Sequence, residues 1–241
     1  MNIPRILVIE GLEKGAELVL SQSSSFHILK VLRKETGSKL ELFDGQGRSF
    51  LSEIVGTRNK KIFIKVIGNE NFQEKQGLKI KLALALIKSN AFDYAVQKCV
   101  ELGVDEIIPV VTERSNFRMN NKNILSKENR WNMIAQGACE QCGQDWLPKV
   151  KKITQLKDWS RTIESGQKFI FFPGSSNKLS EVKLEGEVNI AIGPEGDFTT
   201  SELEELNLNG FISLSLGKRI LRAETAAIAS ISALRVIAGE F

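Results

Sequence analysis

Two stretches of this chain carry the residue types that could do chemistry, and they lie close together near the C-terminus. Gly193-Pro194-Glu195-Gly196 follows the apolar run Ile190-Ala191-Ile192, and Lys218-Arg219-Ile220-Leu221-Arg222-Ala223-Glu224-Thr225 follows the alternating residues Ile212, Leu214 and Leu216. Each reads as a strand that ends in a loop and passes into a helix. The first helix has a full start signal: Thr199 as N-cap, Glu202 three residues on to close a capping box, and Phe198 placed to staple Leu203. In the second unit Gly217 ends the strand, and Arg219, Arg222 and Glu224 precede a helix nearly free of charge. Solubility is a poor reason for that cluster. Two such loops side by side could wall one ligand pocket. Backbone amides beside glycines and a helix N-terminus suggest phosphate first, but neither G-x-G-x-x-G nor G-x-x-x-x-G-K-[ST] occurs.

Other chemistries are excluded by what is scarce. His27 is the one histidine of the 241 residues, and it stands in no triad, zinc or deaminase pattern. A general base must then be a carboxylate, a lysine, a tyrosine or the substrate itself. Cys139-Glu140-Gln141-Cys142 has C-x-x-C spacing, yet there is no second cysteine pair and no strand running into it. Both thiols read as small core or interface residues of a helix, and no metal is expected. The chain is 42% apolar and 26% charged, with net charge +4 and pI ≈ 8.9, which permits a nucleic-acid partner without requiring one. No long apolar run and no signal-peptide layout are present, so a cytoplasmic protein with no membrane partner is expected.

The elements that must position these residues fall into two grammars. Residues 5–67 read as short strands and turns with one helical piece near FHILKVLR, a small β-barrel whose Asp44-Gly45 sits in a hairpin connection. Residues 1–72 hold 11 basic and 8 acidic residues. There Arg5, Lys30, Arg33, Lys34 and Arg48 could form a phosphate-binding face or a solvated surface. Residues 68–77 read as a polar linker. Beyond it a strand at 80–87, a helix from Asn90 as N-cap to Leu102 ended by Gly103, a strand at 106–111, a helix near 127–142 and a strand at 168–172 lead into the two loops. Strands alternating with helices imply a mostly parallel sheet covered on both faces. Arg114 and Arg118 follow a strand end, where loops of parallel sheets face ligands, and are candidate RNA contacts. Residues 226–238 are apolar nearly all round, with Arg235 the one charge, so this helix is expected to be buried within the core or between subunits.

IGPEGDF followed by LGKRILRAETAA resembles the signature of the RsmE family, the 16S rRNA uridine-N3 methyltransferases of the SPOUT superfamily. HILKVLR at 27–33, LFDGQG at 42–47, QKCVELGVDEIIPVVTERS at 97–115 and ACEQCG at 138–143 agree with it, so the resemblance spans both halves of the chain. Asp197 stands where family members have a second glycine, and Gln144 where they have arginine. The resemblance implies a PUA-like RNA-binding barrel over 1–72 and an α/β SPOUT methyltransferase domain over 73–241, with a C-terminal trefoil knot and a homodimer. It implies S-adenosyl-L-methionine as cofactor, held by Phe172, Pro173 and Gly174, by Gly193, Pro194, Glu195 and Gly196, and by Leu216, Gly217, Ile220, Leu221 and Thr225. It further implies methylation of N3 of a decoding-site uridine of 16S rRNA in the small ribosomal subunit. Arg222 would stabilise charge on the uracil oxygens, and Glu224 would be either the base or the residue that holds Arg222. Glu195 could instead make a structural hydrogen bond within its turn. Another SPOUT RNA methyltransferase, acting on a ribose 2′-hydroxyl or on tRNA, and a non-catalytic RNA-binding assembly factor are the alternatives.

Overall fold

Alternating apolar residues in the N-terminal third pair into one sheet. The computed structural model describes residues 3–115 and 121–241, the side chains of 121–123 excepted. The chain divides into two compact units, one of residues 1–75 with 139–147, the other of 76–138 with 148–241. In the first unit β1 (Arg5–Leu7), β2 (Glu17–Val19), a short helix α1 (Gln22–Phe26) continued by one π-helical turn (His27–Val31), β3 (Lys39–Phe43), β4 (Arg48–Arg58) and β5 (Lys61–Phe72) follow in order. The strand order is β1-β3-β4-β5-β2, with β1 parallel to β3 and the other pairs antiparallel. Ile28, Leu40, Leu42, Ile54, Ile62 and Ile64 fill its core. The expected linker is strand as far as Phe72, because its backbone pairs with Arg48, Ser49 and Phe50 while its side chains stay in water. Polar composition reported exposure there, and pairing is a backbone matter.

In the second unit the elements are β6 (Lys79–Ala85), α2 (Ser89–Glu101), β7 (Glu106–Val111), α3 (Asn121–Cys142, whose end lies in the first unit), β8 (Lys149–Val150), β9 (Thr154–Gln155), α4 (Leu156–Arg161), β10 (Gln167–Phe171), β11 (Glu187–Ile192), α5 (Thr200–Leu208), β12 (Ile212–Leu214) and α6 (Ala223–Ile237). All pairings are parallel in the order β12-β10-β11-β6-β7-β8, with β9 also on β7. Ala83, Ala85, Ile108, Val110, Ile170 and Ala191 point to one face, against Leu156, Trp159 and Leu206 of α4 and α5. Alternation turns Leu82, Leu84, Ile107 and Ile190 to the other face, where α6 meets β6 and β11 and packs on α2. Near-continuous apolar strands are what burial on both faces demands.

Local start and stop signals explain most helix ends. Thr199 and Glu202 form the capping box, and Phe198 and Leu203 belong to one apolar cluster. Gly103 at φ +81 ends α2. The N-cap of α2 is Lys88, not Asn90, and no side chain caps it. Arg235 differs from expectation more: α6 buries Ala227, Ser230, Ile231, Leu234 and Arg235, while Val236 and Ile237 are exposed. Arg235 donates to the carbonyls of Leu78, at 2.7 Å, and Gly103, pairs with Glu240, and lies 3.8 Å from Asp105. Its charge is part of the core. No helix among the described residues is long and apolar enough to cross a membrane.

Candidate functional site

The C-terminal ends of three adjacent parallel strands open onto one cleft. The loop after β10 contributes Phe172 and Pro173, the loop after β11 contributes Gly193, Pro194, Glu195 and Asp197, and the loop after β12 contributes Leu216, Gly217, Arg219, Ile220 and Leu221. Ala223 and Ala226 of the first turn of α6 close the floor. Ligands of parallel α/β sheets bind at this end of the strands, where loops rather than the ladder determine the shape.

Each loop has a physical reason for its course. Gly217 lies at φ +110, a region that favours glycine, and its turn is held by the Ser215 hydroxyl, which accepts from the Gly217 N–H at 3.1 Å. Asp197 occupies φ +62, in the left-handed region that favours glycine; its Oδ1 accepts from the N–H of Phe198 at 2.8 Å. Burial, the largest influence, raises the Asp197 pKa, while the Phe198 N–H and the Arg114 charge pull it back. The loop after β7 docks on the start of α5, where Glu202 accepts from the backbone N–H of Glu113 at 2.8 Å.

The structure brings together nine of the residues expected to hold a cofactor: Phe172, Pro173, Gly193, Pro194, Glu195, Leu216, Gly217, Ile220 and Leu221. Gly174, Gly196 and Thr225 are not in the lining. A Cβ on Gly174 would come within 2.6 Å of the Phe172 ring, so its lack of a side chain lets that ring fold over it. The Gly196 carbonyl accepts from Arg114 at 2.6 Å. Thr225 is exposed, on a different side of α6 from Ala223 and Ala226. Phe171, Ile192, Asp197, Arg219, Ala223 and Ala226 line the cleft without having been expected there. The two alanines follow from helical spacing of three, a signal available once the helix start is known.

Arg222 is the exposed N-cap of α6, directly after the cleft-lining Leu221, and Glu224 is half-buried in the first turn. Among the described residues the two form no ion pair with each other or with any other group. Three of the expected RNA contacts have other work. Arg5 is largely buried, pairing with Glu41 at 2.7 Å and with Asp145, because β1 carries it inside its unit. Arg48 is tied to Asp44 at 2.7 Å, where it stiffens the hairpin turn. Arg114 braces the β11 loop. Lys30 and Arg33 are exposed, and Arg118 lies outside the described residues. Cys139 is buried, its thiol pushed up to about 12 chiefly by that burial, and is a core residue, whereas Cys142 is exposed. No three His, Cys, Asp or Glu side chains gather as a metal site among the described residues.

The family model for an RNA methyltransferase domain matches residues 74–235, and that for an RNA methyltransferase PUA domain matches residues 20–67. The ribosomal RNA small subunit methyltransferase E of Buchnera aphidicola (subsp. Schizaphis graminum) is 35% identical over 99% of this chain and 98% of its own. That of Bacillus subtilis is 26% identical over 95% and 93%. A methyltransferase of Legionella pneumophila, solved with bound S-adenosylmethionine, superposes with a TM-score of 0.94 at 33% identity over 98% of both chains. The ribosomal RNA small subunit methyltransferase E of Neisseria gonorrhoeae, solved with the same cofactor, gives 0.91 at 30% identity, again over 98% of both.

Proposed function

The chain belongs to the ribosomal RNA small subunit methyltransferase E family, and on that premise we propose that it methylates N3 of a decoding-site uridine of 16S rRNA with S-adenosyl-L-methionine, on the small ribosomal subunit in the cytoplasm. The observation that carries this reading is the convergence of three strand-end loops on one cleft, with Arg222 in the chain between its lining residues Leu221 and Ala223. Residues 1–72 hold the RNA and residues 73–241 carry out the transfer.

The residues present suit the cofactor. Leu216, Ile220, Leu221 and Phe172 offer an apolar slot for an adenine, and Glu195 and Asp197 place carboxylates in the wall of a cleft that would receive a cation. When bound, S-adenosylmethionine supplies an electrophilic methyl group. Uridine N3 is protonated and weakly nucleophilic at neutral pH, so its proton must leave as the new bond forms. As the proton leaves, and until the methyl group is received, negative charge lies partly on the flanking uracil oxygens, which the exposed guanidinium of Arg222 can meet with a pair of donors. Glu224, in the first turn of α6, either accepts the proton or orients Arg222. N3 lies on the pairing edge, so the target base is taken unpaired or flipped out.

The trefoil knot and the homodimer belong to the same proposal. Val236 and Ile237 are exposed at the end of α6, apolar surface that a second copy would cover. The deciding experiment is transfer of labelled methyl to purified small subunits lacking the modification, with free 16S rRNA and tRNA in parallel, followed by nucleoside analysis. Label in 3-methyluridine from subunits is expected; label in a ribose methyl or in tRNA would refute the assignment, as would no transfer at all.

A further inference from the structure

Basic charge in the N-terminal unit is segregated. Residues 21–34 and 57–62 hold six cations, Lys30, Arg33, Lys34, Arg58, Lys60 and Lys61, and no acidic residue; the rest of residues 1–72 is net −3. Among the described residues none of the six is in an ion pair, whereas Arg5, Arg48 and Lys65 of the same unit each face a carboxylate. The two segments are neighbours. The N–H of Ile62 donates to the buried Ser25 hydroxyl at 3.1 Å, and the N–H of Leu20 to the Ile62 carbonyl at 3.0 Å, which docks the tip of the β4–β5 hairpin on α1.

Apolar groups stand among these charges. Phe26 is 62% exposed and Val31 60%, with His27 and Lys30 exposed beside them on the π-helical turn. Among the described residues, two of the four non-glycine residues at positive φ are cations of this patch, Arg33 at +51 and Lys60 at +61. Lys60 takes the second position of a two-residue hairpin turn, where glycine would sit without strain. Among the described residues no ion pair in the fold accounts for a cation at this position.

We propose that the α1/π-turn and the β4–β5 hairpin tip together form a binding surface for single-stranded RNA, the six cations tracking the phosphates and Phe26 stacking on a base. The inference rests on the RNA substrate proposed above and specifies a surface for it that includes neither the cleft nor Arg5 and Arg48. An exposed aromatic amid unpaired cations is the chemistry of single strands, since a duplex offers phosphates but no open base face. An anionic membrane would also attract the charge. Against it, the cations are divided between a turn and a hairpin tip, with only Phe26 and Val31 to insert.

The test uses the full chain and a fluorescein-labelled, unstructured RNA of about 12 nucleotides, with the same sequence as a duplex and vesicles containing phosphatidylglycerol as parallel probes. If all six cations neutralise phosphates, the slope of log K against log salt is about −4, and about −2 in the Arg58→Gln, Lys60→Gly, Lys61→Gln variant. Phe26→Ala is expected to weaken the single strand about tenfold and leave the duplex unchanged. Lys65→Gln, which removes a cation already paired with Glu17, is expected to leave the slope as it was. An unchanged slope in the triple variant, an equal loss with Lys65→Gln, or vesicle binding tighter than RNA binding would overturn the proposal. S-adenosylmethionine affinity by calorimetry is read on the same samples: its absence from the unsubstituted chain sinks the methyltransferase reading, and its retention beside an unchanged slope sinks only this surface.

Discussion

Replacing Arg235 by methionine keeps the length of the side chain and removes its charge, and it tests whether a buried cation holds the second unit together. In the native fold the guanidinium serves the carbonyls of Leu78 and Gly103, pairs with Glu240, and faces Asp105 at 3.8 Å with its own side chain only 9% exposed. Breaking a buried pair by removing one partner costs about 3–5 kcal/mol. Glu240 is 25% exposed and can turn toward water, and the Asp105 carboxylate still accepts from the N–H of Ile80 at 2.7 Å, so the lower end applies, about 3 kcal/mol. With a urea slope of about 3 kcal/mol per molar for a chain of this size, the midpoint falls by about 1 M. Trp131 and Trp159 lie in the same unit and report the transition by fluorescence, with Trp146 replaced by phenylalanine to silence the other unit. Glu240→Gln alone is expected to cost less, and the double variant to cost less than the sum of the singles, because the two side chains share one interaction. A loss below about 1 kcal/mol for Arg235→Met would refute the reasoning, since that is the worth of an exposed pair.

Arg222→Ala is expected to leave folding and S-adenosylmethionine affinity intact, its side chain being exposed and free of ion pairs among the described residues, while single-turnover transfer falls by a factor of about 100 or more. A near-normal single-turnover rate would remove Arg222 from charge stabilisation. Asp197→Gly is expected to change stability by less than about 1 kcal/mol, since relief of the left-handed backbone offsets the lost Phe198 contact and the looser unfolded chain, whereas Asp197→Val loses about 2 kcal/mol more. Equal stability of the two variants would show that φ at this position is not a constraint. The same carboxyl titrates high because it is buried, so its folded form holds the proton more tightly than the unfolded chain does. Its contribution is fully present below pH 3.8 and declines as pH rises through its folded value. Glu187 has the opposite sign: burial raises its pKa, but Lys79 and Lys81 more than reverse that. The stability it provides is present above pH 4.5 and is lost as pH falls through its folded value. Urea midpoints measured against pH should therefore fall on the acid side less steeply in Glu187→Gln than in the unsubstituted chain; parallel curves would mean that the lysines do not hold it.

What could be read from the sequence was whatever neighbours along the chain decide. The capping box of Thr199 and Glu202, the stop at Gly103 and the apolar strands that carry Leu82 and Ile190 all rest on contacts within a turn or on simple apolar runs, so spacing reveals them. The cleft-lining loops were legible for the same reason, as breaks in those runs followed by helix starts. Charges were read less well, because an arginine looks the same in the sequence whether its partner is water, a phosphate or a carboxylate from a distant strand. Arg5 reads as a surface cation until β3 brings Glu41 beside it and the segment after α3 brings Asp145. Arg235 reads as an interruption of an apolar helix until residues 78, 103, 105 and 240 are seen to converge on it.

That same contrast sorts the remaining cations by function. A charge already matched by the fold has lost much of its freedom to bind a polyanion, since a phosphate must first displace a carboxylate that is close by and held in place. Arg5 and Arg48 are matched in this way, while Lys30, Arg33, Arg58, Lys60 and Lys61 are not. In the second unit Arg222 differs from Arg114 on the same ground, one facing solvent and the other donating to the Gly196 carbonyl. Pairing within the fold thus separates cations that build the protein from cations the fold leaves facing solvent, and composition alone, at net +4, gives no hint of where that division falls.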